Sequence, residues 1–60
     1  MTGKQMKKLF EENRWELDRI KGSHHIMRKG EHTESIPVHG SRELKKGMEK
    51  ALLKRLKEVD

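Results

Sequence analysis

The chain has 60 residues and a formal net charge of +5; 42% of its residues are charged and none is cysteine. Such a short chain is expected to form one domain, 1–60, with a thin core, and the lack of cysteine excludes disulfide stabilisation. The longest apolar run, Ala51-Leu52-Leu53, is far below the roughly 20 residues of a membrane helix, and no apolar signal segment opens the sequence. We therefore expect a cytoplasmic protein without membrane contact.

A first helix is predicted at residues 3–12. Thr2 and Gln5 have the spacing of a capping box, in which each side chain accepts a hydrogen bond from the other residue's backbone. An apolar stripe with helical spacing follows: Met6, Leu9 and Phe10. Asn13 is a suitable residue to leave the helix in a left-handed conformation.

Three short strands are predicted in the middle of the chain. The first, at residues 15–20, begins with alternating apolar and charged side chains, so we expect Trp15 and Leu17 to point inwards. Turns and strands then alternate: turn 21–23, strand 24–29, turn 30–32 and strand 33–38. Pro37 cannot donate to a strand ladder, which predicts an edge or terminal position for it.

The C-terminal segment has helical periodicity, but its start can be interpreted in two ways. The apolar stripe consists of Leu44, Met48, Ala51, Leu52, Leu56 and Val59. Ser41 would cap one continuous helix, at a cost of about 1 kcal/mol for Gly47 inside it. Alternatively, residues 41–45 form a turn and the helix covers 46–57. Either way the order α-β-β-β-α predicts an α+β fold, a three-stranded antiparallel sheet with two helices on one face.

Positive charge is concentrated in the central and C-terminal segments. Residues 19–32 carry four basic side chains against one acidic, and residues 41–60 carry seven against four. Such an excess attracts phosphates, although a solvated helix face is the commoner role of such charge. The chain has only two aromatic residues, Phe10 and Trp15, and both lie in apolar patterns. We expect them in the core, so any RNA contact should be mainly electrostatic.

All four histidines lie between residues 24 and 39. His24 and His25 are adjacent in a predicted strand and would face opposite sides, so they cannot share a metal ion, and we expect no metal or cofactor. Ser23 beside His24 does not establish a hydrolytic triad. RNA cleavage needs less protein, because the substrate's 2′-hydroxyl is the nucleophile and the protein supplies proton transfer and positive charge. His32, in a predicted turn, is expected to be inert.

Four blocks of the sequence resemble the HicA family of mRNA interferase toxins: Trp15-Glu16-Leu17, Lys21-Gly22-Ser23-His24-His25-Ile26, Ile36-Pro37-Val38-His39-Gly40 and Glu43-Leu44-Lys45-Lys46-Gly47. The blocks cover nearly the whole chain in the family's order and spacing. The resemblance implies a double-stranded-RNA-binding-domain-like fold. It also implies a toxin of a type II toxin-antitoxin system that cleaves mRNA, inhibits translation and is neutralised by a cognate HicB antitoxin.

The resemblance also implies a structure for the C-terminal segment. In the family the last helix begins near the Gly47 position, which favours a turn at 41–45. The chain departs from the family pattern at three positions. Arg14, Lys46 and Met48 lie where glycine, proline and threonine are common in the family. None of these positions belongs to the Gly-Ser-His segment.

Site residues follow from the same resemblance and from charge. The family's catalytic histidine directly follows Gly-Ser or Gly-Gly, which maps to His24 as general base or acid. Charge and proximity predict the RNA-binding residues Lys21, Gly22, Ser23, Arg28, Lys29, Lys45, Lys46 and Lys50. His25 and His39 are alternatives for a second acid-base group. A non-catalytic RNA-binding module of the same fold and a pure interaction protein with an acidic partner remain the competing interpretations.

Overall fold

The computed structural model describes residues 1–59, and they follow the predicted α-β-β-β-α order. The elements are α1 (Gly3–Glu12), β1 (Glu16–Lys21), β2 (His24–Lys29), β3 (His32–Pro37) and α2 (Lys46–Glu58). The strands form one antiparallel sheet in the order β1-β2-β3. Pro37 ends an outer strand, as predicted. Neither helix of the described chain combines the length and the apolar character that crossing a bilayer requires.

The predicted capping box begins α1, since Thr2 and Gln5 exchange side-chain to backbone hydrogen bonds of 2.9 and 3.1 Å. The end of α1 differs from the prediction. Asn13 is not left-handed, and its side-chain amide instead donates to the Leu9 carbonyl at 2.8 Å. The following residue, Arg14, adopts the left-handed conformation with φ of 68°. The chain thus turns into β1 one residue later than we predicted.

A single apolar core lies between the helices and one face of the sheet. Its buried members are Met6, Phe10, Trp15, Met27, Ile36, Leu52 and Val59. The rings of Phe10 and Trp15 pack edge to face with centroids 4.9 Å apart, which confirms their predicted core role. Because both helices contribute to this one cluster, they cover the same face and leave the other face of the sheet open.

Leu17 points inwards as predicted but is not buried. Leu17 pairs with Met27 and shares its face, yet 40% of its surface is exposed. β1 is an outer strand, and the ladder register shifts between Leu17 and Arg19, which leaves Asp18 as an extra residue. Of the two helices, α1 is the one that contacts β1, whereas α2 packs on α1. The outer part of β1 therefore remains uncovered.

His32 was predicted in a turn but is the first residue of β3. Gly30, with φ of 61°, and Glu31 make a two-residue turn, so Lys29 and His32 pair directly. The turn is shorter than the sequence indicated because glycine readily adopts positive φ.

The segment before α2 is a separate connection, which confirms the split interpretation of the C-terminal region. Lys45 is the N-cap of α2, and no side chain caps that end. The connection is tied to the start of the chain by a bridge between Thr2 and Glu43. Hydrogen bonds from the N-terminal amine to Glu49 and Glu43 raise the pKa of that amine and link it to α2.

Candidate functional site

His24 and His25 begin the central strand β2 and face opposite sides of the sheet. His25 pairs with Ile36, which is fully buried beneath the helices. His24 pairs with Pro37 on the open face and is exposed. Gly22, with φ of 60°, allows the tight turn that fixes this register. Of the two adjacent imidazoles, only that of His24 is therefore presented on the open face.

The His24 ring has a hydrogen-bonding neighbour on β3. Ser35 lies two residues before Pro37 and therefore on the same open face, and its Oγ is 3.3 Å from His24 Nδ1. A contact at Nδ1 leaves Nε2 as the second ring nitrogen, available for proton transfer. Sequence reasoning missed Ser35. Its two-residue spacing from Pro37 would have indicated it once the pairing of Pro37 with His24 was known.

His39 approaches His24 because the chain continues beside β2 after β3 has ended. The Val38 N–H donates to the Ser23 carbonyl at 2.7 Å, which holds this segment against the β1-β2 turn. The rings of His24 and His39 consequently lie 6.4 Å apart between centroids, at an interplanar angle of 81°. The next turn is closed by a hydrogen bond from the Arg42 N–H to the His39 carbonyl. Of the two alternatives for a second acid-base group, the structure brings His39 to His24.

The remaining histidines occupy other environments. His25 lines an open cleft on the helix side together with Lys4 and Lys7. Its Nδ1 atom is buried and has no hydrogen-bond partner within residues 1–59. His32 Nδ1 lies 3.3 Å from an Arg55 guanidinium nitrogen and so contacts α2. In the described part of the chain, no three His, Asp or Glu side chains form a cluster that could hold a metal ion.

Two of the predicted RNA-binding cations lie on the same face as His24. Lys21 is its direct partner on β1, and Arg28 lies four residues further along β2. The Arg28 Nε donates to the Gly30 carbonyl at 3.1 Å, which holds the guanidinium near the β2-β3 turn. Lys29 faces the helix side instead, where its ammonium donates to the Val59 carbonyl at 3.4 Å. The open face therefore carries Lys21 next to His24, whereas Arg28 at the other end of β2 lies opposite Glu16.

The other predicted RNA-binding residues lie in the β1-β2 turn and at the start of α2. Gly22 and Ser23 form the turn, and the Ser23 carbonyl is occupied by the Val38 N–H. Lys45, Lys46 and Lys50 are exposed around the first turn of α2. Lys45 also lines a cleft that includes His39. This arrangement combines two imidazoles capable of proton transfer with cations that can bind an extended polyanion.

The comparison with protein families agrees with this geometry. A family model described as the HicA toxin of bacterial toxin-antitoxin systems matches residues 3–57. The matched range includes α1, all three strands and nearly all of α2, and with them every residue of the candidate site. Searches of curated proteins and of solved structures returned no match. The chain thus belongs to the HicA toxin family, and it is a toxin of a bacterial toxin-antitoxin system.

Proposed function

We propose that this HicA-family toxin is a metal-independent endoribonuclease that cleaves mRNA in the cytoplasm and thereby inhibits translation. The observation that carries the proposal is the proximity of the His39 ring to His24, which is exposed on the open face; the ring centroids are 6.4 Å apart. A single-stranded polyanion can lie along this face, because the helices cover only the opposite one. Lys21 and Arg28 lie on the same side as His24 and would bind its phosphates.

The two imidazoles supply the proton transfers of a transesterification. His24 acts as the base in the tautomer whose Nδ1–H donates to Ser35 Oγ, 3.3 Å away, because that tautomer leaves the Nε2 lone pair to remove the proton of the 2′-hydroxyl. The 2′-oxygen attacks the adjacent phosphorus and the bond to the 5′-oxygen breaks. His39 donates a proton to that leaving oxygen. The products are a 2′,3′-cyclic phosphate and a 5′-hydroxyl, and Lys21 stabilises the added negative charge on the phosphorane.

Other basic residues extend the RNA-binding surface. Lys45, Lys46 and Lys50 are exposed around the start of α2 and would bind flanking phosphates. Gly22 and Ser23 have little or no side chain, so they would let the backbone of the β1-β2 turn come close to the RNA strand. Lys29 would contribute only long-range charge, because its ammonium lies on the helix side.

The family implies a cognate HicB antitoxin as the protein partner. The open face offers that antitoxin a direct means of inhibition. Because His24 and its neighbouring cation Lys21 are exposed there, a partner covering this face would exclude mRNA and neutralise the charge that attracts it.

The proposal is tested by comparing three purified proteins on a defined mRNA fragment: the native chain, His24→Ala and His25→Ala. The two variants remove the same side chain from neighbouring positions on opposite faces of β2. We expect His24→Ala to lose at least about 10²-fold in cleavage rate, and His25→Ala to stay near the native rate. Circular dichroism checks the fold of each protein.

The analysis of RNA ends completes this test. Native cleavage should leave 5′-hydroxyl ends and 2′,3′-cyclic phosphates. A folded His24→Ala protein that cuts at the native rate would overturn the assignment of His24. A native chain that binds the RNA and leaves it intact would instead establish the second candidate, a non-catalytic RNA-binding module. That candidate is favoured by the same exposed basic face.

A further inference from the structure

A cleft next to His39 combines an apolar wall with cationic side chains. Its volume is about 290 Å³, and Pro37, Leu44 and Met48 supply the apolar surface. Met48 is one of the large apolar side chains that are exposed to solvent, with 42% of its surface accessible. Small-molecule sites commonly span about 300–1,000 Å³, so this cleft has the size for a group as small as one nucleobase.

The cleft is continuous with the proposed cleavage site. His39 lines it, and Pro37 in its wall is the direct β3 partner of His24. A nucleotide whose phosphate lies between the two imidazoles would therefore place its base or its neighbour's base at this wall. The location indicates an occupant that belongs to the RNA substrate.

The polar lining of the cleft includes two cationic hydrogen-bond donors. Arg42 and Lys45 are both exposed, and neither takes part in an ion pair among residues 1–59. The carboxylate in the lining, Glu43, is already engaged by the N-terminal amine at 3.2 Å. A ligand that presents two adjacent acceptors suits this lining. Guanine does so through O6 and N7, whereas adenine offers N7 beside a donating amino group.

From these observations we propose that the cleft formed by Pro37, His39, Arg42, Leu44, Lys45 and Met48 is a subsite for one base of the RNA, and that it prefers guanine. The base stacks on the aliphatic wall, and the Arg42 guanidinium binds O6 and N7 through its two parallel N–H groups. This inference rests on the proposed ribonuclease function for its substrate, but its test does not require cleavage.

The test follows methionine methyl groups by NMR in the intact chain while mononucleotides are added. Met48 is the reporter, and Met6 and Met27 serve as internal references because both are completely buried. The probes are guanosine monophosphate, adenosine monophosphate and ribose 5-phosphate. We expect guanosine monophosphate to shift the Met48 methyl with an affinity about fivefold above that of adenosine monophosphate, the effect of about one hydrogen bond. Ribose 5-phosphate should shift it least.

A matched variant separates recognition of the base from attraction of the phosphate. Arg42→Lys keeps the positive charge but loses the paired N–H groups, so the preference for guanine should disappear while weak nucleotide binding remains. An unshifted Met48, or an equal response to ribose 5-phosphate, would overturn the subsite. A response to adenosine monophosphate at least as strong as that to guanosine monophosphate would overturn the guanine assignment. Binding without cleavage would reject the ribonuclease and retain the base subsite.

Discussion

His24 and His39 approach each other edge to face, with ring centroids 6.4 Å apart and planes inclined by 81°. They are fifteen positions apart in the sequence, His24 at the start of the central strand and His39 beyond the end of an outer strand. The backbone hydrogen bond from Val38 to Ser23 holds the two segments together. Main-chain geometry thus brings together two imidazoles that are distant in sequence.

Replacing His39 by alanine should lower kcat by about 10²- to 10⁴-fold, because the leaving oxygen would depart without a proton donor. The pH-rate profile should also lose the limb that depends on a protonated group. Cleavage rates measured across the pH range check both points. An RNA carrying a better leaving group at the scissile position is the control, since it should be cut almost equally by the native and His39→Ala proteins. Unequal cutting of that RNA would contradict the role of His39.

Replacing Ser35 by alanine should reduce kcat about two- to tenfold, which corresponds to one neutral hydrogen bond, and leave KM nearly unchanged. Ser35 positions the His24 ring through Nδ1, and its Oγ lies 3.3 Å from that atom. Nitrogen-15 NMR of the imidazole should therefore show a changed tautomer distribution at His24 in Ser35→Ala. Ser35→Thr, which retains the hydroxyl, should restore both the rate and the spectrum. A spectrum that does not change would exclude the contact.

Removing a single cation from the open face should change the salt dependence of RNA binding. Each phosphate contact contributes about 0.7 to the slope of log affinity against log salt for single strands. Lys21→Ala should lower the slope by about that amount, because Lys21 is the direct partner of His24. Lys29→Ala is the charge-matched control, and its slope should stay near native since Lys29 faces the helices. Binding of 2′-O-methyl RNA, which cannot be cleaved, measures this, and equal slopes for both variants would contradict it.

Two glycine-to-alanine substitutions should affect stability in opposite directions. A Cβ at Gly3 would lie 1.9 Å from the Pro37 carbonyl oxygen, so Gly3→Ala should cost about 1–3 kcal/mol as α1 moves away from β3. A Cβ at Gly47 meets no atom within 4 Å, and Gly47→Ala should add up to about 1 kcal/mol of helix stability. Urea unfolding followed by Trp15 fluorescence measures both. Two changes of the same sign would contradict this packing.

Periodicity predicts most of this fold because the buried side chains keep strict spacings. Met6 and Phe10 repeat at four residues in α1, and the turns contain glycine. The exposure of Leu17 could not be predicted, since its pattern correctly indicates an inward residue and the exposure depends on β1 being an outer strand. Asparagine adopts the left-handed conformation more readily than arginine, so residue type alone favoured Asn13 over Arg14, which is the left-handed residue in the structure.

The candidate site was predictable only in part. His24 was indicated by the resemblance to the family, whose catalytic histidine directly follows Gly-Ser, whereas its neighbours depend on contacts between segments distant in sequence. Ser35 reaches His24 through strand pairing, and His39 does so through a backbone hydrogen bond beyond β3. Sequence spacing left His25 and His39 as equal alternatives. The alternation of side chains along β2 separates them, because it directs His25 to the helix side.

Because His24 and His25 are adjacent, the register of the β1-β2 hairpin determines which of the two imidazoles lies on the open face. A slip of one residue in β2 would turn His25 outward and His24 under the helices without altering the composition of the chain. The β1-β2 turn, with its left-handed Gly22, sets this register and thereby determines which of the two imidazoles is exposed. On the proposed mechanism, a change in the length of that turn would remove the catalytic imidazole from the open face and yet retain every reactive group in the chain.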